Sequence, residues 1–337
     1  MASGLVSQLL KQSAYRSNCP SPGGPSVCPF PSFDPQADAS ALNYALNAKG
    51  VDEDTIISIL TTRTNDQRQQ IAAVYQQDVG KSLKDVVKSN LSTKLKMVVL
   101  YLLKTPAQFD AHQLSKAMKG FGTDEDCLIE ILVTRKNKEI KEIIKAFREE
   151  FGKDLAETIK GDTSGAFLKA LLVLLEASRD EGDVVDYDLA DDDARALYHA
   201  GEKKEGTDID TFIKILSSRN FAHLNIVFER YTKYSPHEVD KALELELKGD
   251  IENLLITLVK CIVNTPAYFA EKLHLSMEGH GTCDERLIRI ICSRSEVDLM
   301  DIKMEYKAKY GKTLNSAIKD ETKGDYEKIL LALCGDE

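Results

Sequence analysis

A chain of 337 residues, 43% of them hydrophobic and 29% charged, is long enough for a sizeable core and polar enough for water. Its formal net charge of −10 argues against nucleic acid as the main partner, because phosphate backbones demand a basic face. It argues equally against simple electrostatic attachment to anionic lipid, unless something first reverses the charge locally.

The chain opens on a segment that differs from the rest. No basic stretch leads into a long apolar core, so no signal peptide is expected. Leu5, Val6, Leu9 and Leu10 share one face of a short helix that needs something to dock against. Six of the nine prolines then fall between Pro20 and Pro35, a composition that favours extended or disordered backbone. Residues 1–33 are therefore expected to form a flexible tail. The longest apolar run, Met97 to Leu103, is too short to cross a bilayer. Ala2 excludes myristoylation, and Gly335 and Asp336 after Cys334 are not a prenylation signal. Seven scattered cysteines without CxxC spacing read as free thiols.

Beyond the tail the chain repeats itself. The strings SILTTRTN, EILVTRKN, KILSSRNF and RIICSRSE place Arg63, Arg135, Arg219 and Arg294 at equivalent points, 72, 84 and 75 residues apart. The longer interval holds an acidic connector, Arg179 to Ala194, and LKTPAQF and VNTPAYF mark corresponding junctions. The units span 34–105, 106–177, 190–262 and 263–337, with a linker at 178–189, two halves of two units each. The second unit shows the plan. Ala111, Leu114, Ala117 and Met118 give a first helix, ended by Gly120 and Gly122. Thr123 followed by Asp126 resembles a capping box and opens a second helix through Leu128, Ile129, Ile131 and Leu132. Ile140, Ile143, Ile144, Phe147 and Phe151 trace a third, stopped by Gly152. Leu155 and Ile159 belong to a fourth, and Phe167, Leu168, Leu171, Leu172 and Leu175 to a fifth. The fold class is all-α, roughly twenty helices in four units of five. The repeated arginines read as buried or half-buried structural ions.

Between the first and second helix of a unit lies a tight glycine loop, Met118-Lys119-Gly120-Phe121-Gly122-Thr123 in the second unit and Met277-Glu278-Gly279-His280-Gly281-Thr282 in the fourth. Glycines let several carbonyl oxygens converge, which suits a hard cation such as Ca²⁺ provided a carboxylate adds charge. Forty residues after Gly122, Gly206 and Gly281 stand Asp162, Glu246 and Glu321. Each acid falls between the fourth and fifth helices, the end that faces the loop if the helices bundle. A loaded site would carry +2 from the ion and −1 from the acid, and three ions would bring the formal charge from −10 to −4.

The G-x-G-T loop, the acid forty residues on, the four units and the paired TPA junctions together resemble the annexin family over nearly all of residues 34–337. GTDEDxLIEIL, DTSGAF, ELKGDIE and DETKGDYEKILLALCG, with the opening VSQLLKQ, are most similar to the lipocortin-type members. The resemblance implies the annexin fold, a curved disc of four five-helix repeats with calcium loops on the side that meets the bilayer. It implies Met118, Gly120 and Gly122 as carbonyl donors with Thr123 and Asp162, and Met277, Gly279 and Gly281 with Glu321. The third unit has a variant loop, implying Gly201, Lys204 and Gly206 with Glu246. The first unit departs from the pattern: Ala48, Val51 and Asn90 replace a glycine, the threonine and the acid. Only a smaller site on Gly50, Val51 and Glu53 is implied there. Lys96 stands where a further minor site near Lys88 and Leu91 would need an acid.

The expectation that follows is a cytoplasmic, monomeric, non-enzymatic protein that moves to anionic phospholipid at the plasma or vesicle membrane when calcium rises, with a nuclear pool. Membrane organisation or bridging and phospholipase A2 inhibition by covering the substrate are implied with it, as is a small EF-hand dimer as partner of the tail. The rival expectation is a helical protein-interaction scaffold with vestigial calcium sites. Catalytic motifs fail. GDTSG at Gly161 lacks the serine placement and the strand–turn–helix context of a nucleophile elbow, and His237-Glu238 has no second histidine for a zincin. No EF-hand loop occurs.

Overall fold

The computed structural model describes residues 23–91, 93–120, 122–204, 206–279 and 281–336, and among these every regular element is a helix. The first repeat contains α1 (Pro35–Asn47), α2 (Glu53–Thr61), α3 (Asn65–Val79), α4 (Leu83–Asn90) and α5 (Thr93–Leu102). The second contains α6 (Pro106–Ala117), α7 (Glu125–Thr134), α8 (Asn137–Phe151), α9 (Leu155–Asp162) and α10 (Gly165–Leu175). In the third lie α11 (Tyr187–Ala200), α12 (Ile209–Ser218), α13 (Phe221–Tyr231) and α14 (Val239–Glu246). The long α15 (Asp250–Met277) leads into α16 (Asp284–Arg294), α17 (Leu299–Tyr310), α18 (Leu314–Glu321) and α19 (Gly324–Cys334).

The expected five-helix plan holds in the third and fourth repeats once α15 is divided. Its 28 residues are long enough to cross a bilayer, but Asn264 leaves the helical region at φ −159°, ψ 92°. Pro266 supplies the reason, since its ring and missing N–H break the preceding turn. Asn264 Oδ1 then accepts from Ala267 N at 3.0 Å and restarts the helix. At the equivalent first junction α5 stops at Leu102 and Pro106 opens α6 as a separate helix.

Helix ends follow the side chains. Asp52, Asp124 and Asp208 cap α2, α7 and α12, each accepting from the backbone N–H three residues on. The expected capping box on Thr123 is thus corrected by one position. Asp124 accepts from Cys127 N at 3.0 Å, which leaves Thr123 to the loop. Gly80, Gly152 and Gly311 end the third helix of their repeats in the left-handed conformation at φ 71°, 65° and 67°.

The helices form two compact units, one from the first and fourth repeats and one from the second and third, divided near Pro106 and Tyr268. Repeats therefore pair 1 with 4 and 2 with 3. Ion pairs repeat this order. Lys328 Nζ of α19 meets Asp54 at 2.8 Å inside the first unit, and Lys169 Nζ of α10 meets Asp210 at 2.5 Å inside the second. Both join the fifth helix of one repeat to the second helix of its neighbour.

The repeated arginines are structural, as expected. Arg63 makes a bidentate pair with Asp38, Nε–Oδ2 2.6 Å and Nη2–Oδ1 2.8 Å, and Arg135 does the same with Asp110 at 2.6 and 2.9 Å. Burial opposes the charge on Arg135, but Asp110 outweighs it and holds the guanidinium well above its usual range. Arg219 pairs with Asp193, which also meets His223 Nε2 at 3.0 Å. In the fourth repeat the matching first-helix position is Phe269, on whose ring Arg294 stacks at 4.7 Å, and Arg294 turns to Asp298 at 2.6 Å.

Residues 23–30 depart from the flexible tail expected over 1–33. Gly24 N donates to Asp301 Oδ2 at 2.8 Å, and Ser26 and Val27 both donate to the Ser295 carbonyl. Phe30 exchanges two hydrogen bonds with the Gln67 amide and stacks on Arg63, whose Cζ lies 3.6 Å from the ring centre. Val27 and Cys28 are buried. Backbone hydrogen bonds and apolar burial outweigh the disorder that prolines favour in an isolated segment. The helical face at Leu5, Val6, Leu9 and Leu10 lies outside the described residues. Cys127, Cys261, Cys283, Cys292 and Cys334 are free thiols as expected, whereas Cys28 is disulfide-bonded and corrects that expectation. Burial pushes the Cys292 and Cys334 thiols up to about 12.

Candidate metal centres at the helix-junction loops

Each repeat closes its first loop with the same backbone bond. Asp52 N donates to Ala45 O at 3.0 Å, Asp124 N to Ala117 O at 2.8 Å, Asp208 N to Ala200 O at 2.7 Å and Cys283 N to Ser276 O at 2.8 Å. The chain leaves the first helix, turns back on itself and enters the second beside the point of departure. Four repeats thus share one frame, and side chains and glycines decide what the frame can hold.

In the second and fourth repeats the loop runs through two left-handed glycines, Gly120 and Gly122 at φ 111° and 92° and Gly279 and Gly281 at 93° and 102°. A side chain is strained at such angles, so glycine keeps the turn available. The described glycines of these loops are exposed, while Met277 is buried and Met118 half-buried, so the two methionines contribute side chains to the core and carbonyls to the loop. In the first repeat Ala48 takes φ −62°, ψ 154°, and only Gly50 is left-handed. Its peptide faces differently from those of Gly120 and Gly279. The third repeat needs its glycine for space: a Cβ on Gly201 would meet the Phe212 ring at 3.2 Å. The Gly201 carbonyl already accepts from Lys204 N at 2.9 Å, keeping one lone pair for another donor.

The carboxylates arrive from the far end of each repeat. Thr207 Oγ1 donates to Glu246 Oε2 at 3.1 Å, and Thr282 Oγ1 to Glu321 Oε2 at 3.2 Å. Residues 39 apart in sequence are thus in contact, and both acids stay exposed to incoming ions. Asp162 ends α9 at the corresponding place, exposed, and is one methylene shorter. Among the described residues no hydrogen bond joins it to Thr123. In the first repeat Val51 and Asn90 can make no such bond, and Glu53 sits half-buried at the first position of α2.

These donors suit a hard cation. Among the described residues no group of three or more His, Cys, Asp or Glu side chains could hold a metal, so any such centre draws on backbone carbonyls. The third and fourth loops have an acid held against their threonine, the second has Asp162 at the corresponding helix end, and the first has Asn90 there. Sequence reasoning missed one residue of the third loop. Glu202 is held by Tyr231 Oη at 3.0 Å and faces His237 Nε2 at 3.9 Å, which pins the variant loop to α13. Burial, with the Glu202 carboxylate beside it, pushes the Tyr231 phenol above its usual range. The only sequence signal was the extra residue in that loop.

The annexin family pattern matches residues 37–102, 109–174, 192–258 and 268–333, one segment in each repeat. The chain is 57% identical to annexin A1 of Cavia cutleri over 342 aligned positions, covering 98% of this chain and 99% of that protein. Annexin A1 of Homo sapiens is 55% identical, with the same coverage. Among solved structures, annexin III superposes with a TM-score of 0.91 at 46% identity, covering 93% of this chain and 97% of that one. A calcium-bound annexin (Sm)1 superposes with a TM-score of 0.84 at 33% identity, covering 93% of each. The chain therefore belongs to the annexin family.

Proposed function

We propose that this protein binds anionic phospholipid membranes through calcium ions held in the loops of its second, third and fourth repeats. The observation that carries the reading is the contact of Thr207 with Glu246 and of Thr282 with Glu321, which brings a carboxylate to the glycine loop. The carbonyls of Met118, Gly120 and Gly122 with Asp162, of Gly201, Lys204 and Gly206 with Glu246, and of Met277, Gly279 and Gly281 with Glu321 would hold one ion each. A weaker site in the first repeat falls to Gly50, Val51 and Glu53. Three carbonyls and a bidentate carboxylate supply about five oxygens where calcium takes six to eight, so water or lipid phosphate completes the shell. Several weak sites acting together hold a surface more tightly than any one alone. The calcium-bound annexin (Sm)1 supports the choice of ion.

In this reading the protein is a cytoplasmic binding protein, not an enzyme. It moves to the plasma or vesicle membrane as calcium rises and inhibits phospholipase A2 by covering the lipid. A monomer suffices for that, and a nuclear pool, membrane bridging and a small EF-hand dimer at the N-terminal tail are further parts of the proposal. Co-sedimentation with phosphatidylserine vesicles tests it: the protein pellets in calcium and stays in solution with chelator. Equal recovery in both would leave a helical protein scaffold as the better reading.

A further inference from the structure

A small cavity of about 20 Å³ lies wholly within the second unit, behind the linker that joins the second and third repeats. One water needs about 10–15 Å³ of such space, so the cavity takes a single guest of water or halide size. Leu132 and Val133 of α7, Ile140 of α8, and Val173 and Leu174 of α10 give it apolar walls that offer a guest no hydrogen bond. Arg179 of the linker and Ser217 of α12 supply polar groups, and the exposed Ser178 and Glu181 form the side nearest solvent.

Two polar atoms on this wall are unsatisfied among the described residues. Ser217 is 7% exposed, and its hydroxyl is buried without a hydrogen-bond partner. Thr61, at the matching place in the first repeat, donates to the Ile57 carbonyl at 2.7 Å, so a hydroxyl at this helix position can be satisfied locally. The second atom is Arg179 Nη2, also buried and unbonded. The rest of Arg179 is fixed. Its Nη1 donates to the Arg219 carbonyl at 2.8 Å, its carbonyl accepts from Asn137 Nδ2 at 2.7 Å, and its Cζ lies 5.2 Å from the Phe221 ring centre. Leaving such buried donors unmatched is costly, so the cavity favours a guest that accepts from both.

The charge balance points the same way. Arg135, the other cation of the wall, is neutralised by its bidentate pair with Asp110. Arg179 has no such pair. Burial pushes its guanidinium down to about 10, and Glu181 and Cys261 oppose that shift without cancelling it. Glu181 is itself exposed, and its Oε1 accepts from Asn137 N at 2.7 Å. A water in the cavity would accept from Arg179 but would turn its own hydrogens towards mostly apolar walls. An anion of one atom only accepts, and it supplies the missing negative charge. We propose that this cavity binds a single halide ion, chloride under ordinary ionic conditions, between Arg179 Nη2 and Ser217 Oγ. The ion ties the linker to α12 and so the second repeat to the third, with no part played by calcium or membrane.

Titrating the full chain with chloride in chelator, with gluconate holding the ionic strength, and following the ³⁵Cl line width tests the site. Saturable broadening that bromide displaces is expected. Ser217→Ala and Arg179→Met should each weaken it about tenfold, the worth of one hydrogen bond to a charged group. Ser217→Ala removes only an unpaired hydroxyl, so it decides the matter even if Arg179→Met fails to fold. No saturable broadening, or broadening that Ser217→Ala leaves unchanged, overturns the proposal. Crystals soaked in bromide give the second reading. An anomalous peak between Arg179 and Ser217 is expected, and a water with no anomalous signal at that place overturns the choice of an anion.

Discussion

The first and fourth repeats pack into one unit on the same helical plan, yet only one has two glycines in its loop and a threonine that holds a carboxylate against it. Their loops close with nearly the same bond, Asp52 N to Ala45 O and Cys283 N to Ser276 O. In the fourth repeat Gly279, Gly281, Thr282 and Glu321 complete the frame, and Thr282 holds the acid against the loop. In the first, Ala48, Val51 and Asn90 occupy those places. Loop closure belongs to the fold, whereas the proposed ion binding would depend on a few residues set upon it. The two can be lost independently.

The arginines sharpen that separation with the largest expected effect. Arg63→Ala leaves the buried Asp38 unpaired and should destabilise the protein by about 3–5 kcal/mol in chemical denaturation, and Arg294→Ala, whose partner Asp298 is half-buried, by less. Calcium binding by the fraction still folded should not change in either variant. Next comes the combined loss of Asp162, Glu246 and Glu321 to alanine. It should raise the calcium needed for half-maximal pelleting by about a hundredfold, because avidity fails once every acid is gone.

Glu321→Ala alone should remove one bound calcium in equilibrium dialysis and weaken pelleting by about tenfold, while Asn90→Ala leaves both unchanged. The converse graft, Ala48→Gly with Val51→Thr and Asn90→Glu, should add one bound calcium. A graft that folds but binds no further ion would mean that the frame itself differs between the repeats. The smallest effect belongs to Thr282→Val. Releasing Glu321 from its hydroxyl contact should cost about two- to tenfold in calcium affinity, measured by calorimetry on Asp162→Ala/Glu246→Ala protein to isolate that loop.

Much of this arrangement was legible in the residues. Apolar side chains at helical spacing marked the helices of the second repeat because each buries one face. The interval from Gly281 to Glu321 foretold a contact that Thr282 makes visible. Local pattern could not decide other features. Thr123 and Asp124 are both good caps, and only the closing bond to Ala117 selects Asp124. Repeat order along the chain does not reveal which repeats pack together, since the fifth helix of the fourth can bury against the second helix of the first only after folding. Prolines at 25, 29 and 31 suggested a free tail because Ser295, Asp301 and Gln67, the groups that hold it, are distant in sequence.

Diffraction from crystals soaked in calcium, with anomalous signal to locate the ions, tests the central claim most directly. Density is expected in the loops after α6, α11 and α15, each ion within about 2.6 Å of the paired carboxylate oxygens of Asp162, Glu246 or Glu321. Empty loops at saturating calcium, with those acids turned to solvent, would contradict it.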